Sequence, residues 1–290
     1  MDFSIVSDSS CNLLEDTIDE FDITILPLTF MVDGEQYASY VKGRKTDLKQ
    51  FYDMIRDGKT ITTSLPNIQD SEHSITELLD KGRDVLYIGF SSGLSGTYEA
   101  TSALLEELKK RYPERKIYHV DTFGASLGEG LLVYKAACMA RDGASIEETY
   151  QWVLDNRFHL AHWFTVDKLE YLWRGGRVSR SSAWAGDVLN IKPVMHMDDA
   201  GHLIPVYKVR GRKKSILGMF EHMVDSAIEP IGEQTVFITH GDCEDDAKFL
   251  ADKIRQKWGN KDIRWNYVDP VIGAHCGPGT LALFFLAQQR

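Results

Sequence analysis

The sequence has few cysteines, and no two of them lie close together. Its four cysteines, Cys11, Cys138, Cys243 and Cys276, form no C-x-x-C pair. This spacing argues against a disulfide-stabilised secreted domain and favours the reducing cytosol. The first ten residues have no basic start and no long apolar stretch, so we expect no secretory signal peptide and a cytoplasmic location.

Long hydrophobic runs and excess positive charge are also missing. No apolar run approaches the ~18 residues that a transmembrane helix needs, so no membrane-spanning segment is predicted. The formal net charge is −10, which argues against general binding of nucleic acid. With 43% hydrophobic and 26% charged side chains among 290 residues, the composition is that of a folded globular protein.

The sequence does contain a regular alternation of strand and helix patterns. Segment 84–90 is nearly all apolar, as in a strand buried on both faces, and 97–112 places its apolar residues on one helical stripe. The alternation continues through 116–122 and 128–143. It predicts an α/β fold with a mostly parallel sheet and flanking helices. The apolar run at 281–287 is interpreted as a buried terminal helix.

The alternation of patterns changes near residue 157. An extended segment, the arginine- and glycine-rich stretch 173–182 and a hairpin-like stretch at 193–209 follow, and the α/β rhythm returns from residue 235. We therefore predict two domains, an N-terminal α/β domain over residues 1–157 and a C-terminal α/β domain over residues 158–290.

Residues 91–97, with the sequence SSGLSGT, are rich in groups that bind anions. They lie between a predicted strand and a helix that begins near Thr97. The first N–H groups of a helix are unpaired and favour negative charge. Ser95 and Thr97 add hydroxyl donors, and Gly96 lets the backbone approach a ligand closely. The alternative is an ordinary turn with a serine or threonine N-cap.

Two further stretches carry hydroxyl or imidazole groups. Thr63 and Ser64 precede Pro66 and could reach a ligand or cap the next helix. His275 lies among glycines that include Gly277. It could donate to an anion, coordinate a metal, act as a base or serve a local role in its loop.

A fourth stretch places arginines at a spacing of three. Arg174, Arg177 and Arg180 surround a Gly-Gly pair. Arginines in this arrangement can clamp a carboxylate or phosphate, or can form ion pairs with the many acidic side chains.

Two catalytic or metal-binding schemes compete with simple ligand binding. His240, Cys243, His275 and Cys276 offer four zinc ligands, but their spacing is unlike that of zinc sites, and no metal is predicted. A serine hydrolase would use Ser95 and His275. That scheme is weakened because the G-x-S-x-G elbow needs glycine where Thr97 stands.

Taken together, these stretches resemble the bacterial DegV family of fatty-acid-binding proteins. The resemblance runs along nearly the whole chain. It is carried by IVSDSS at 5–10, TSLP at 63–66, SSGLSGTYEA at 91–100, DTFGASLGEGLLV at 121–133, the long segment 169–195 and GAHCGPGTLALFF at 273–285. The family motif often reads T-S-Q-P, whereas Leu65 replaces the amide here.

The resemblance implies a two-domain α/β protein that buries one long-chain fatty acid in a tunnel between its domains. Thr63 and Ser95 would donate hydroxyls to the carboxylate, and His275 would lie beside it. Arg174 would supply charge or hold the serine, and Arg210 would also face the head group. The supporting residues would be Ser64, Gly96, Thr97 and Gly277.

The resemblance also implies a division of labour with a partner. The chain would need no cofactor and would have no catalysis of its own. A dihydroxyacetone-kinase-like fatty acid kinase would phosphorylate the bound acid to an acyl phosphate. Basic residues within 208–215 would meet that kinase or form a solvated helix start. The alternatives are a serine hydrolase or acyltransferase using Ser95 and His275, and a lipid-responsive regulatory protein.

Overall fold

The computed structural model describes residues 3–44, 46–179 and 190–290. Within these ranges the strands are β1 (Phe3–Asp8), β2 (Thr24–Leu26), β3 (Thr29–Val32), β4 (Glu35–Ala38), β5 (Ile61–Ser64), β6 (Asp84–Gly89), β7 (Ile117–Asp121), β8 (Leu160–Thr165), β9 (Ile191–Met197), β10 (Leu203–Arg210), β11 (Val236–His240), β12 (Ile263–Tyr267) and β13 (Leu281–Leu286). The α-helices are α1 (Glu15–Glu20), α2 (Leu48–Arg56), α3 (Ile68–Asp80), α4 (Thr97–Arg111), α5 (Leu127–Arg141), α6 (Ile146–Asn156), α7 (Leu169–Arg174), α8 (Arg212–Ser226), α9 (Glu244–Trp258) and α10 (Pro270–Cys276).

The chain divides into two units by its internal contacts. Unit 1 contains residues 1–46 and 62–157, and unit 2 contains residues 47–61 and 158–290. The segment 47–61, which the sequence-based division placed in the first domain, groups with unit 2. The reason is the packing of α2, since the Tyr52 hydroxyl donates to the carbonyl of Val268 at 3.0 Å and Arg56 pairs with Asp242 at 2.6 Å.

Unit 1 is built on a four-stranded sheet in the order β2-β1-β6-β7. All its strand pairs are parallel, as the alternating pattern predicted. Every residue of β1 is buried, and only the first residue of β6 is not, so neither strand shows alternating polarity. A separate three-stranded sheet has the order β4-β3-β5, and β3 and β4 form a hairpin that turns at Asp33-Gly34.

Unit 2 is built on a six-stranded sheet in the order β10-β9-β8-β13-β11-β12. Its pairs are antiparallel except for β11 with β12. The predicted hairpin at 193–209 is confirmed as β9 and β10, with a bulge between Pro205 and Tyr207. Helices α8 and α9 cover one face and contribute buried side chains such as Met219 and Leu250 to the core.

The predicted terminal helix at 281–287 is wrong, because this segment forms the strand β13. β13 lies between β8 and β11 and pairs with both. Five of its six residues are buried, so its two faces are equally apolar and the sequence shows no period of two. A short apolar run of this kind does not distinguish a central strand from a buried helix.

Among the described residues, the structure contains no helix with the length and apolar character needed to cross a lipid bilayer. All four cysteines are free. Burial raises the pKa of the Cys243 and Cys276 thiols to about 12, so both stay protonated at neutral pH. No three metal-ligating side chains of the described ranges are placed to hold a metal ion together.

Candidate functional site

The stretch 91–97 forms the connection between β6 and α4 in unit 1. The predicted helix start at Thr97 is confirmed. Backbone bonds shape the turn, since the N–H of Ser91 donates to the carbonyl of Gly124 at 2.9 Å and that of Ser95 donates to the carbonyl of Ser91 at 3.2 Å. The N-cap is Gly96, which has no side chain to satisfy the first N–H groups of α4. The backbone donors of this helix start therefore depend on neighbouring hydroxyls or on a ligand.

Ser95 and Thr97 form a hydroxyl pair at this helix start. The Ser95 Oγ lies 2.9 Å from the Thr97 Oγ1 and accepts the N–H of Thr97 at 3.3 Å. When the Thr97 hydroxyl donates, both lone pairs of the Ser95 oxygen are filled. The Ser95 hydrogen is then directed to another acceptor, and accepting two bonds makes it a stronger donor. The geometry suits a negatively charged oxygen as that acceptor.

The Thr63–Leu65 segment lies beside this turn in unit 1. The methyl carbons of Leu65 are 3.9 and 4.0 Å from the point that a Cβ on Gly96 would occupy. Thr63 is half-buried at the end of β5, and Ser64 is exposed. Neither of them caps α3, because Asn67 does so by accepting the N–H groups of Gln69 and Asp70. The alternative of a threonine or serine cap is therefore wrong for this stretch.

His275 lies in unit 2, in the last turn of α10 rather than in a loop. Its imidazole packs on Gly175, where a side chain at position 175 would collide with it. Burial and the charge of Arg177 lower the pKa of His275 to about 4. His275 is therefore neutral at pH 7, and the positive charge nearby belongs to Arg177.

The sequence analysis named Arg177 in the arginine stretch but did not include it among the predicted head-group residues. Arg177 is half-buried, donates to the carbonyl of Gly175, and its pKa is lowered by burial. Its spacing within the arginine stretch is the same as that of its neighbours, so only the fold distinguishes it. Arg180 lies outside the described residues.

The other predicted residues of unit 2 have different surroundings. Arg174 forms an ion pair with Glu170 one turn earlier on α7, and 67% of its side chain is exposed. Arg210 is the exposed last residue of β10. Gly277 ends α10 with a φ of +75°, and the ring of Tyr171 lies where its side chain would be, so only glycine fits there.

Comparison with known proteins supports the family resemblance found in the sequence, and it does so along nearly the whole chain. The family model described as an uncharacterised protein of the DegV family matches residues 2–288. The chain belongs to the DegV family. A DegV domain-containing protein of Clostridium perfringens is 43% identical over 288 residues, which cover 99% of this chain and 98% of that protein.

Solved structures of DegV proteins share the fold. A DegV lipid-binding protein from Thermotoga maritima is 28% identical, with a TM-score of 0.86 over 100% of both chains. DegV from Bacillus subtilis, described as a fatty-acid-binding protein, is 27% identical, with a TM-score of 0.83 over 99% of this chain and 100% of that chain. The two α/β units described above are thus the fold of the DegV family.

Proposed function

We propose that this chain binds one long-chain fatty acid and presents its carboxylate to a partner kinase. The support is membership of the DegV family together with the lipid and fatty-acid binding described for its solved relatives. The observation that carries the proposal is the Ser95–Thr97 hydroxyl pair. It leaves a hydroxyl hydrogen to donate at a helix start whose dipole favours an anion.

The head-group contacts that we propose are made by the residues that the sequence analysis singled out. Thr63 and Ser95 donate hydroxyl hydrogens to the carboxylate, supported by Ser64, Gly96 and Thr97. Neutral His275 donates one N–H, with Gly277 fixing the end of its helix. Arg174 and Arg210 remain predicted contributors of charge, and Arg177 joins them because its charge acts on His275.

The tail supplies most of the binding free energy in this proposal. Burying about 14 methylenes at roughly 0.8 kcal/mol each gives about 11 kcal/mol before the costs of association and ordering. A micromolar complex needs about 8 kcal/mol. The polar residues therefore add the smaller part of the affinity and mainly set the orientation of the carboxylate.

The partner that we propose is a dihydroxyacetone-kinase-like fatty acid kinase in the cytosol. It carries the phosphoryl transfer, and this chain carries no catalysis of its own. The docking surface is the basic stretch 208–215. Within it Arg212 is paired with Asp246 at 2.8 Å, and Lys213 lies 5.3 Å over the ring of Phe249. Lys213 and Lys214 are both exposed at the start of α8 and are the cations proposed to meet an acidic face of the kinase.

Mass spectrometry of the purified protein tests this function. Native spectra should show a noncovalent adduct of fatty-acid mass that is lost on denaturation and recovered by lipid extraction. An adduct that survives denaturation and maps to Ser95 would replace the carrier with an acyl-enzyme. A protein that carries no lipid and takes up no added palmitate would reject the proposed function.

A further inference from the structure

Three polar side chains of unit 1 lie fully buried at the carboxyl end of β1. Asp8 ends that strand, Ser10 follows it, and Glu129 comes from the first turn of α5; each is 0% exposed. The Ser10 Oγ contacts the Asp8 Oδ1 and lies 2.8 Å from the Glu129 Oε2. One hydroxyl therefore bridges two carboxyl groups in the core.

Asp8 is surrounded by donors. Its Oδ1 accepts the N–H and the hydroxyl of Ser10, and its Oδ2 accepts the hydroxyl of Tyr87 at 2.9 Å and the N–H of Phe90 at 3.0 Å. An ionised carboxylate has about four acceptor positions, and a protonated one has fewer. Asp8 is therefore the ionised member of the pair.

Ser10 has a single hydroxyl hydrogen, which it donates to Asp8. The 2.8 Å contact between Ser10 Oγ and Glu129 Oε2 then needs a hydrogen from Glu129. The other oxygen, Glu129 Oε1, needs no hydrogen of its own, because the Ser7 hydroxyl can donate to it. The one hydrogen of Ser7 faces both the carbonyl of Ile88 at 2.8 Å and the Glu129 Oε1 at 3.1 Å. Two ionised carboxylates sharing a buried site would also repel each other strongly.

We propose that Asp8 and Glu129 hold one proton between them at neutral pH, and that this acid pair positions the 91–97 turn for binding the carboxylate. Glu129 donates to Ser10, and Ser10 donates to Asp8. Both acids are positioning residues, since they act through the turn. The inference rests on the proposed function for its effect on binding, whereas the shared proton stands on the local geometry alone.

The link to the turn is the N–H of Phe90. This residue lies between the end of β6 and Ser91, so Asp8 holds the entrance of the turn from the β1 side. From the β7 side, the N–H of Ser91 donates to Gly124, and that of Ser92 approaches the Asp121 carboxylate at 3.3–3.4 Å. Because the N–H of Ser95 bonds back to Ser91, a shift at Phe90 moves the Ser95 hydroxyl.

Among the residues that the structure describes, Tyr87 and Cys11 are titratable groups that face the acid pair. On β6, burial and the neighbouring acids raise the pKa of Tyr87 well above its usual value. On the turn after β1, burial and the same acids raise the pKa of Cys11. Both groups therefore stay neutral as the solution becomes mildly alkaline. Burial also raises the pKa of Asp8, against the lowering effect of its four donors.

The matched variants are Glu129→Gln, which mimics the neutral acid, and Asp8→Asn, which turns an amide donor toward groups that already donate. We expect Glu129→Gln to bind palmitate nearly as wild type does at pH 7. We expect Asp8→Asn to bind at least about tenfold more weakly, because buried donors lose their acceptor. The affinity of the wild type for palmitate should fall when the pH is raised far enough to remove the shared proton. The affinity of Glu129→Gln should not show this fall.

Infrared difference spectroscopy at pH 7 tests the proton without using the ligand. The carbonyl stretch of a protonated carboxylic acid should be present in the wild type and absent from Glu129→Gln. Its persistence in Glu129→Gln, or an unchanged alkaline fall of affinity in that variant, would overturn the inference even if Asp8→Asn failed to fold. If the wild type bound no palmitate, the proposed function would fail, and the infrared band would still decide the shared proton.

Discussion

The imidazole of His275 occupies the space that a side chain at position 175 would need. A Cβ on Gly175 would lie 3.1 Å from the His275 Cγ and closer still to Nδ1. The Gly-Gly pair of the arginine stretch thus has a specific role, which is to let the helix carrying His275 pack closely on the end of α7. The consequence is that the position of the imidazole depends on a residue about a hundred places earlier in the chain.

Gly175→Ala should displace this imidazole. We expect a loss of about 1–3 kcal/mol in the free energy of unfolding, as for overpacked cores, together with weaker binding of palmitate. Gly176→Ala is the control. A Cβ at position 176 would meet no atom within 4 Å, so this variant should lose only roughly 1 kcal/mol of stability because of the φ of +75° at that position. Denaturant unfolding and the NMR titration of His275 measure both effects, and equal changes at His275 in the two variants would contradict the packing argument.

Protonation of His275 should destabilise the protein in mild acid. Because its folded pKa of about 4 is below the usual 6.5, the unfolded state binds more protons between these values. Stability is therefore complete above pH 6.5 and falls as the pH is lowered toward 4. The loss in the free energy of unfolding caused by protonation of His275 reaches about 3 kcal/mol near pH 4. Denaturant unfolding of the wild type and of His275→Gln across this pH range isolates the effect of His275, because the other buried histidines titrate in both proteins. Parallel stability curves would show that His275 contributes nothing.

Thr63 should matter for binding, and its neighbour Asn67 for stability. Thr63→Val keeps the shape and removes the hydroxyl, so we expect palmitate to bind about tenfold more weakly, the lower end of the value of one hydrogen bond to a charged group. Asn67→Ala removes the cap of α3 and should cost about 1 kcal/mol of stability with affinity retained. Binding titrations and denaturant unfolding of both variants measure the difference. If Asn67→Ala weakened binding as much as Thr63→Val, the hydroxyl would have no special role.

Ser95→Ala should lower phosphorylation by the kinase more than it lowers binding of palmitate. In the proposed complex the tail supplies most of the affinity, whereas the Ser95 hydrogen orients the carboxylate. Acyl-phosphate formation and palmitate affinity are measured side by side. Ser102→Ala is the control and should change neither, because the half-buried Ser102 hydroxyl donates to the carbonyl of Glu99 in its own helix α4. Equal losses in both measurements for Ser95→Ala would reject this division of labour.

Neutralising Lys213 and Lys214 should slow kinase turnover and flatten its dependence on salt. Exposed charges steer association, and added salt screens them. The double variant with glutamine at both positions should leave palmitate binding unchanged. Glutamine at Lys109 and Lys110 makes the same change of charge on α4 and serves as the control. Unchanged turnover and salt dependence would show that the kinase docks elsewhere.

Local patterns in the sequence were sufficient to predict the parallel sheet of unit 1, the helix start at Thr97 and the family. These features depend on local patterns. A buried parallel strand is a continuous apolar run, an amphipathic helix repeats its apolar residues every three or four positions, and a hydroxyl- and glycine-rich turn marks the junction between them. Such patterns can be recognised without knowing which segments contact each other in the folded protein.

Other features depend on residues that are distant in the sequence, and they become visible only in the folded protein. β13 resembled a helix because pairing with strands on both sides removes the alternation that identifies an exposed strand. Arg174 and Arg177 are alike in sequence, and only folding turns one toward Glu170 and places the other near His275. The shared proton of Asp8 and Glu129 has no local signal, because Ser10 and Glu129 are 119 residues apart and meet only in the folded core.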